Sequence, residues 1–388
     1  MTKTKGNIIR NQNQSAVSAP KLHDYSFLFD SPCDFLREPD SFRKETKENI
    51  FSSGNSDTVD TIQKSDRIIS SLSEIPADTR MLNTMGVPLG SGKIVNRISS
   101  SGNSHIYKIW NEDLEMFRAV KICISADSMH NAMNRFFTEA KIAAQLRHPN
   151  IIEVYSLGKW NEIPYIEMEF IDGLSVGHII KKNGPLPQSV SCAISIFTCK
   201  ALLYANQHEF RIGGKVYRGV IHRDLKPHNI MISNSGIIKL LDFGIARPCD
   251  ESLYQTVASD KIVGTIQYLS PEQMDGSELD FKTDIYSFGV VLYEMITGVT
   301  TFPQTTLSNI VKAKISNHYN SFKELNIDVP SGLEEIVTTC LEFKKENRFS
   351  GLQELLNALE EVFLKEYNSS YDEVVRTFIK NYLLQQML

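Results

Sequence analysis

Apolar positions are sparse and aperiodic over residues 1–85 and become regular only from Lys93 onward. In the first stretch Ser, Asn, Asp, Lys and Thr dominate, and Pro20, Pro32, Pro39 and Pro76 interrupt any helical or alternating pattern. Too little apolar surface is available there to offset chain entropy, so residues 1–85 are read as a largely disordered N-terminal extension. A short cluster, Tyr25, Phe27, Leu28, Phe29, Phe35 and Leu36, breaks the polar run, either as a chance patch or as a docking segment.

From Lys93 three strand-like runs follow, KIVNRI, HIYKIW and FRAVKICI, separated by Ser99–Ser104 and by a polar turn at 111–113. They predict an antiparallel meander. Met133, Phe136, Phe137, Ala140, Ala143 and Ala144 then recur at spacings of three and four, the period of a helix that His148-Pro149-Asn150 ends. Two more strands are expected in IIEVYSLG and PYIEMEFI, and from residue 187 long helices dominate. Within EFRIGGKVY the Gly213-Gly214 pair between strand formers predicts a hairpin. Strands first and helices second define an α+β fold with a small sheet lobe and a larger helical lobe. Val374, Val375, Phe378, Ile379, Tyr382, Leu383 and Met387 share one helical face, for packing onto the preceding domain or for binding a partner.

Composition narrows the function classes. With 388 residues, 41 Lys+Arg against 46 Asp+Glu and a net charge of −5, the chain is a mildly acidic globular type. That balance argues against a dedicated nucleic-acid or anionic-membrane binder. Cys33, Cys123, Cys192, Cys199, Cys249 and Cys340 form no C-x-x-C pair, which disfavours a zinc site or a disulfide framework and favours reduced, cytoplasmic thiols. The opening MTKTKGNIIR lacks the apolar run of a secretory signal. Ser189–Ala205, the most apolar stretch, carries Ser, Cys, Thr and Lys200 and reads as a buried helix and not a membrane span.

The decisive segment is His222-Arg223-Asp224-Leu225-Lys226-Pro227-His228-Asn229, followed thirteen residues after the Asn by Asp242-Phe243-Gly244. Four fixed residue types at these spacings arise by chance about once in 160,000 positions. The chain resembles the eukaryotic-type Ser/Thr protein kinases, in which H-R-D-x-x-x-x-N is the catalytic loop and D-F-G the metal-binding segment. The resemblance covers residues 92–350, with a small lobe over 92–170, a large lobe over 171–350 and a C-terminal helical extension over 351–388.

It implies a bilobal kinase fold, ATP and Mg²⁺ as cofactors, and protein Ser/Thr hydroxyls as acceptors. Lys121 resembles the phosphate-binding lysine, and Glu139, eighteen residues later, its ion-pair partner. Asp224 resembles the residue that orients the hydroxyl and takes its proton, and Lys226 the stabiliser of the moving γ-phosphate. Asn229 and Asp242 resemble the Mg²⁺ ligands, hard oxygen donors for a hard cation. Ser270-Pro271-Glu272 stands where the family has A-P-E, Asp284 resembles the aspartate bracing the catalytic loop, and Arg348 the partner of Glu272. For adenine the resemblance implies Met168 as gatekeeper, the main chain of Glu169 and Ile171 as hydrogen-bond partners, and Ile98, Ile106, Ala119, Met231 and Leu241 as the apolar sandwich.

One landmark departs from the family. Where it has G-x-G-x-x-G the chain reads Ser99-Ser100-Ser101-Gly102-Asn103-Ser104, with serine at all three glycine positions. Ser99, Ser101 and Gly102 are then the expected phosphate cover, with weakened ATP affinity, and an inactive nucleotide-binding scaffold is the alternative this substitution raises. A small-molecule phosphotransferase is disfavoured by the activation segment and the SPE landmark. Arg223 implies regulation through a phosphorylated segment residue, with Thr256 and Ser259 as candidates and Ser252 and Tyr254 behind them. YLSPEQ, PYIEMEF and the insert at 209–217 resemble bacterial members. Such members commonly carry a membrane anchor. With no span expected here, the chain reads as a cytoplasmic kinase, or as an effector delivered without an N-terminal signal to act on host proteins.

Overall fold

The computed structural model describes residues 85–386 except 101–103, 124–135, 139, 162 and 244–265. The N-terminal apolar cluster, Ser101, Gly102, Glu139 and the four candidate phosphorylation sites lie outside the described residues. Six antiparallel strands form the small lobe: β1 (Pro88–Leu89), β2 (Gly92–Ser100), β3 (Ser104–Asn111), β4 (Met116–Cys123), β5 (Val154–Trp160) and β6 (Ile163–Glu169). Their order is β1-β2-β3-β4-β6-β5, so the meander holds through β4 and β5 becomes an edge strand beyond β6.

Period-two alternation sorts this sheet into two faces. Val120 and Ile122 join Leu89, Ile94, Ile109 and Ile163 on one side. Ala119, Ile166 and Met168 face the other, where they meet Phe136 and Ala140 of helix α1, observed over 136–138 and 140–143. Lys121, two residues from Ala119, belongs by the same alternation to the face that looks toward the helical lobe.

The large lobe is organised around α3 (Gln188–Gln207), most of which is buried, and α5 (Phe281–Thr297), buried almost throughout. By length and apolarity α3 would cross a membrane, yet 67% of its most apolar window is buried inside the protein. It is a core helix here, packed by α5, α8 (Leu352–Glu366) and α9 (Tyr371–Gln386). Three thiols lie in this core, Cys192 and Cys199 on α3 itself and Cys340 outside it, and burial alone pushes Cys192 up to about 12. Helix α2 (Val176–Asn183) starts on Ser175, whose hydroxyl accepts the His178 amide at 3.2 Å. Helices α4 (Pro271–Asp275), α6 (Leu307–Ile315) and α7 (Ser331–Cys340) complete the set.

Two small sheets lie outside the six-stranded one. Strands β7 (Gly173–Ser175), β10 (Ile230–Ser233) and β11 (Ile238–Leu240) align as β11-β10-β7 beneath the junction of the lobes. The hairpin of β8 (Glu209–Ile212) and β9 (Lys215–Arg218) turns on Gly213 at φ 55° and Gly214 at φ 82°, the double positive φ that a two-residue turn demands. It touches the segment after α1: Gln145 donates to the Arg211 carbonyl at 3.2 Å and accepts from the Arg211 amide at 2.9 Å.

At the C-terminal end, Leu352, Leu355, Leu356, Leu359 and Phe363 of α8 are buried, each worth roughly 1.5–3 kcal/mol of burial. Beyond it, Val375, Ile379 and Tyr382 of α9 seat in the same core, with Val374, Phe378 and Leu383 packed against it. Met387 of the expected face lies outside the described residues. Tyr382 donates to Asn183 Oδ1 at 2.9 Å and Lys200 to the Tyr371 hydroxyl at 2.9 Å, which stitches α9 onto α2 and α3.

Arg348 is the polar centre of this lobe. All five of its N–H donors are used: two on Glu272 at 2.7 and 3.0 Å, and one each on the carbonyls of Lys282, Glu342 and Phe343. Burial would raise the Glu272 carboxyl, but the Arg348 guanidinium, by hydrogen bonds and charge, holds it below the ordinary range. Replacing Arg348 by Met strands that carboxylate, and we expect a loss of about 3–5 kcal/mol in urea unfolding. Stability within about 0.5 kcal/mol of wild type would show that the pair is dispensable.

Candidate active site

The catalytic-loop residues are held from below by α5. Asp284, fully buried on that helix, accepts the main-chain amides of His222 at 2.7 Å and Arg223 at 2.9 Å, one on each carboxylate oxygen. Burial pushes the Asp284 carboxyl above the usual range, although the main-chain hydrogen bonds of His222 and Arg223 and the Arg223 charge oppose it. The His222 ring is buried too, with Nε2 on the Leu241 carbonyl at 2.8 Å and Nδ1 accepting the Asp224 amide at 3.3 Å. These bonds assign the proton to Nε2. The ring also packs on Phe243 at 4.7 Å between centroids.

Two residues in this region take left-handed backbone, Arg223 at φ 64° and Asp242 at φ 48°. Side-chain-bearing residues persist there at a cost of order 1–3 kcal/mol only where surroundings over-determine them. Asp284, His222 and the Leu241 amide on the Asn229 carbonyl, at 2.8 Å, supply that constraint.

Three expected chemical residues converge. Lys226 Nζ lies 2.8 Å from Asp224 Oδ2, and Asn229 Nδ2 donates to the Asp224 carbonyl at 2.8 Å and to Oδ2 at 3.2 Å. Because the Asn229 amide nitrogen is spent on Asp224, its Oδ1 remains as the ligand-type atom. Across the cleft, Lys121 Nζ reaches Asp242 Oδ1 at 2.7 Å. Burial alone would raise the Asp242 carboxyl; the charge and hydrogen bond of Lys121, assisted by the charge of Lys226, bring it below the ordinary range. An ionised Asp242 with a neutral amide oxygen is a hard-donor pair that fits Mg²⁺. Glu139, the expected partner of Lys121, lies outside the described residues.

The expected adenine residues separate into three groups. Ala119, Met168, Ile106, Ile171 and Leu241 fall in one apolar cluster at the lobe junction, and Ala119 pairs directly with Met168 across β4 and β6. Met231 sits apart on β10, paired with Ser175 of β7 and Lys239 of β11. Ile98 is 47% exposed at the far end of β2. The Glu169 amide is donated to the Glu153 carbonyl at 2.9 Å, so a contact to adenine from this residue falls to its carbonyl oxygen. Of the serine loop, Ser99 faces Ile106 just after a register shift in β2, and the Ser100 hydroxyl meets His105 Nδ1 at 3.0 Å.

Sequence reading missed two polar ties. Glu169 also pairs through its side chain with Lys239 at 2.7 Å, joining the lobe junction to β11. Gln273 donates to the Arg223 carbonyl at 2.9 Å and thereby links the SPE segment to the catalytic loop. Its signal was present as Ser270-x-x-Gln273, the capping-box spacing, and α4 indeed carries that box.

A family model described as protein kinase domain matches residues 93–363. The chain belongs to that family. A probable serine/threonine-protein kinase of Clostridium acetobutylicum is 36% identical over 271 residues, 70% of this chain and 39% of that protein. Serine/threonine-protein kinase PrkC of Bacillus subtilis is 34% identical over 251 residues, 64% of this chain and 37% of its own length. The chain thus spans about two-fifths of the curated relatives it matches. Among solved structures, the kinase domain of Mycobacterium tuberculosis PknI overlays with a TM-score of 0.54 at 24% identity, covering 71% of this chain and 98% of that domain, a likeness of fold.

The cause of the Asp242 shift can be tested directly. Lys121→Met removes the opposing charge and leaves the burial, so the carboxyl must titrate at higher pH than in wild type. Carboxyl-carbon NMR of Asp242 should report the midpoint moving upward; an unmoved midpoint would assign the depression to other groups.

Proposed function

We propose that this chain transfers the γ-phosphate of MgATP to Ser and Thr hydroxyls of proteins. The observation that supports it most is the convergence of Asp224, Lys226 and Asn229 opposite the Lys121–Asp242 pair. Phosphoryl transfer needs little covalent chemistry from the protein, only positioning and charge compensation. Asp224 orients the acceptor hydroxyl and takes its proton. Lys226 stands beside it to offset charge on the moving phosphoryl group, and Lys121 anchors the α- and β-phosphates. Asn229 Oδ1 and the Asp242 carboxylate would hold Mg²⁺, which supplies neutralisation of the phosphate oxygens when bound.

The same reading extends to self-phosphorylation. On this reading Arg223, directly before Asp224, receives a phosphate carried by Thr256 or Ser259 through a charge-assisted pair. A donor of this kind implies work in a cytoplasm, that of the producing cell or that of a host receiving the chain. Incubation with labelled ATP and myelin basic protein tests the proposal. Asp224→Asn should abolish both acceptor labelling and modification of Thr256 and Ser259 by mass spectrometry, while calorimetric MgATP binding persists. Undiminished turnover in that variant would remove Asp224 from its role.

A second reading, a nucleotide-binding scaffold without transfer, draws on the serine loop. Serine Cβ atoms hinder the close backbone approach that glycine permits at a phosphate. If the loop still covers the phosphates, Ser99→Gly, Ser101→Gly and Ser104→Gly together should lower KM for ATP several-fold with kcat little changed, as uniform binding does. Transfer detectable only in the triple variant would favour the scaffold.

A further inference from the structure

Lys314, on α6, is 1% exposed and has no carboxylate within ion-pair distance among the described residues. Its ammonium donates to two main-chain carbonyls, Gln267 at 2.8 Å and Leu269 at 2.7 Å. The rings of Phe302 and Tyr286 lie 4.5 and 4.8 Å from Nζ. Burial drives its pKa well below the lysine range, Arg348 adds to that effect and Glu272 opposes it. A methionine would fill the same space without a buried cation, so the position is occupied at a cost that packing does not explain.

What the cation holds is the clue. Between the two carbonyls it captures, that of Tyr268 accepts the Ser287 hydroxyl at 2.8 Å, so three consecutive carbonyls are fixed by side chains of α5 and α6. The Tyr268 hydroxyl is fixed in turn on Glu294 at 2.7 Å. This segment runs straight into Ser270–Gln273, and Gln273 is bonded to the carbonyl of Arg223, the residue before Asp224. Through Gln273 the segment is thus tied to the loop that carries Asp224, which on the kinase reading takes the acceptor hydroxyl, while Lys121 and the cluster around Met168 take ATP.

We infer that Lys314 is a positioning residue for the protein acceptor: by clamping the carbonyls of Gln267 and Leu269 it sets the path of the main chain against which the acceptor polypeptide lies. The inference rests on the kinase reading above, and it divides acceptor binding from nucleotide binding. Lys314→Met keeps most of the apolar stem of the side chain and removes every donor, so the two carbonyls lose their partner while the rings keep apolar packing.

The test uses the full chain with myelin basic protein as acceptor. Lys314→Met should raise KM for the acceptor by about tenfold and leave KM for ATP within about twofold, because only acceptor placement has been disturbed. Amide hydrogen exchange over 266–270 should quicken while that of β10 and β11 stays unchanged. Lys314→Gln, whose amide can still donate to one carbonyl, should fall between the two and decides the matter if the methionine variant does not fold. An unshifted acceptor KM in a folded variant overturns the proposal, as does a parallel rise of both KM values with a lowered melting point, the mark of a merely structural lysine. Wild-type protein that binds MgATP yet labels nothing overturns the kinase reading, and the acceptor role with it. Normal wild-type labelling with no KM split overturns the role of Lys314 alone.

Discussion

The carboxylate of Asp284 is the constraint on which the cleft depends. It sits on a helix buried almost throughout, and it spends both oxygens on consecutive main-chain amides, those of His222 and Arg223. A loop carrying a left-handed arginine would relax if either bond were lost, and the following residue is Asp224. The His222 ring then passes the restraint onward to the Leu241 carbonyl, just ahead of Asp242. One buried acid thus fixes two other acids that lie eighteen positions apart in sequence. Because burial raises the Asp284 carboxyl, this brace is itself a compromise in which paired amide donors compensate for lost hydration.

Around that centre the large lobe is rigid for reasons of inventory. Arg348 leaves no donor unused, and Glu272 takes a third bond from Thr283 at 3.0 Å. The small lobe is built differently. Its polar core is Glu167, which accepts Arg118 at 2.6 Å and the Ser91 amide at 2.9 Å, while burial and these partners compete over its pKa with a net lowering. That network lies on the sheet face away from the cleft, since Glu167 alternates with Ile166 and Met168. It secures the sheet without touching the catalytic groups.

Much of this was legible in the chain. Period-two runs located β2, β3 and β4, and the Gly-Gly pair located the β8–β9 turn, because each depends on local chemistry alone. The convergence of Asp224, Lys226 and Asn229 was legible because all three sit within one loop of fixed spacing. The position of β5 outside β6 was not, since strand order depends on the path of the intervening helix and not on pattern. Met231 and Ile98 were grouped with Met168 on resemblance; they stand on β10 and β2, outside the cluster that holds Met168 and Ala119. Lys314 was invisible for a plainer reason: a lysine in LSNIVKAKI reads as the solvated edge of an amphipathic helix, and only three-dimensional packing reveals that its neighbours are rings and carbonyls.

The clasp between Gln145 and Arg211 has a mechanical meaning. Both of its bonds end on main-chain atoms of residue 211, so they persist whatever side chain stands there. Nearby, Asn150 donates to the Ile238 carbonyl at 2.9 Å and the Ile152 amide to Leu240 at 3.0 Å, fastening the same stretch to β11. The rear end of α1 is therefore anchored in the helical lobe although its front end packs on the sheet. A rod fixed at one end moves as a lever: displacement is smallest at Gln145 and grows toward Phe136. Rocking of the sheet against the large lobe would thus register more at Phe136 than at Gln145, leaving the anchored end as the fulcrum.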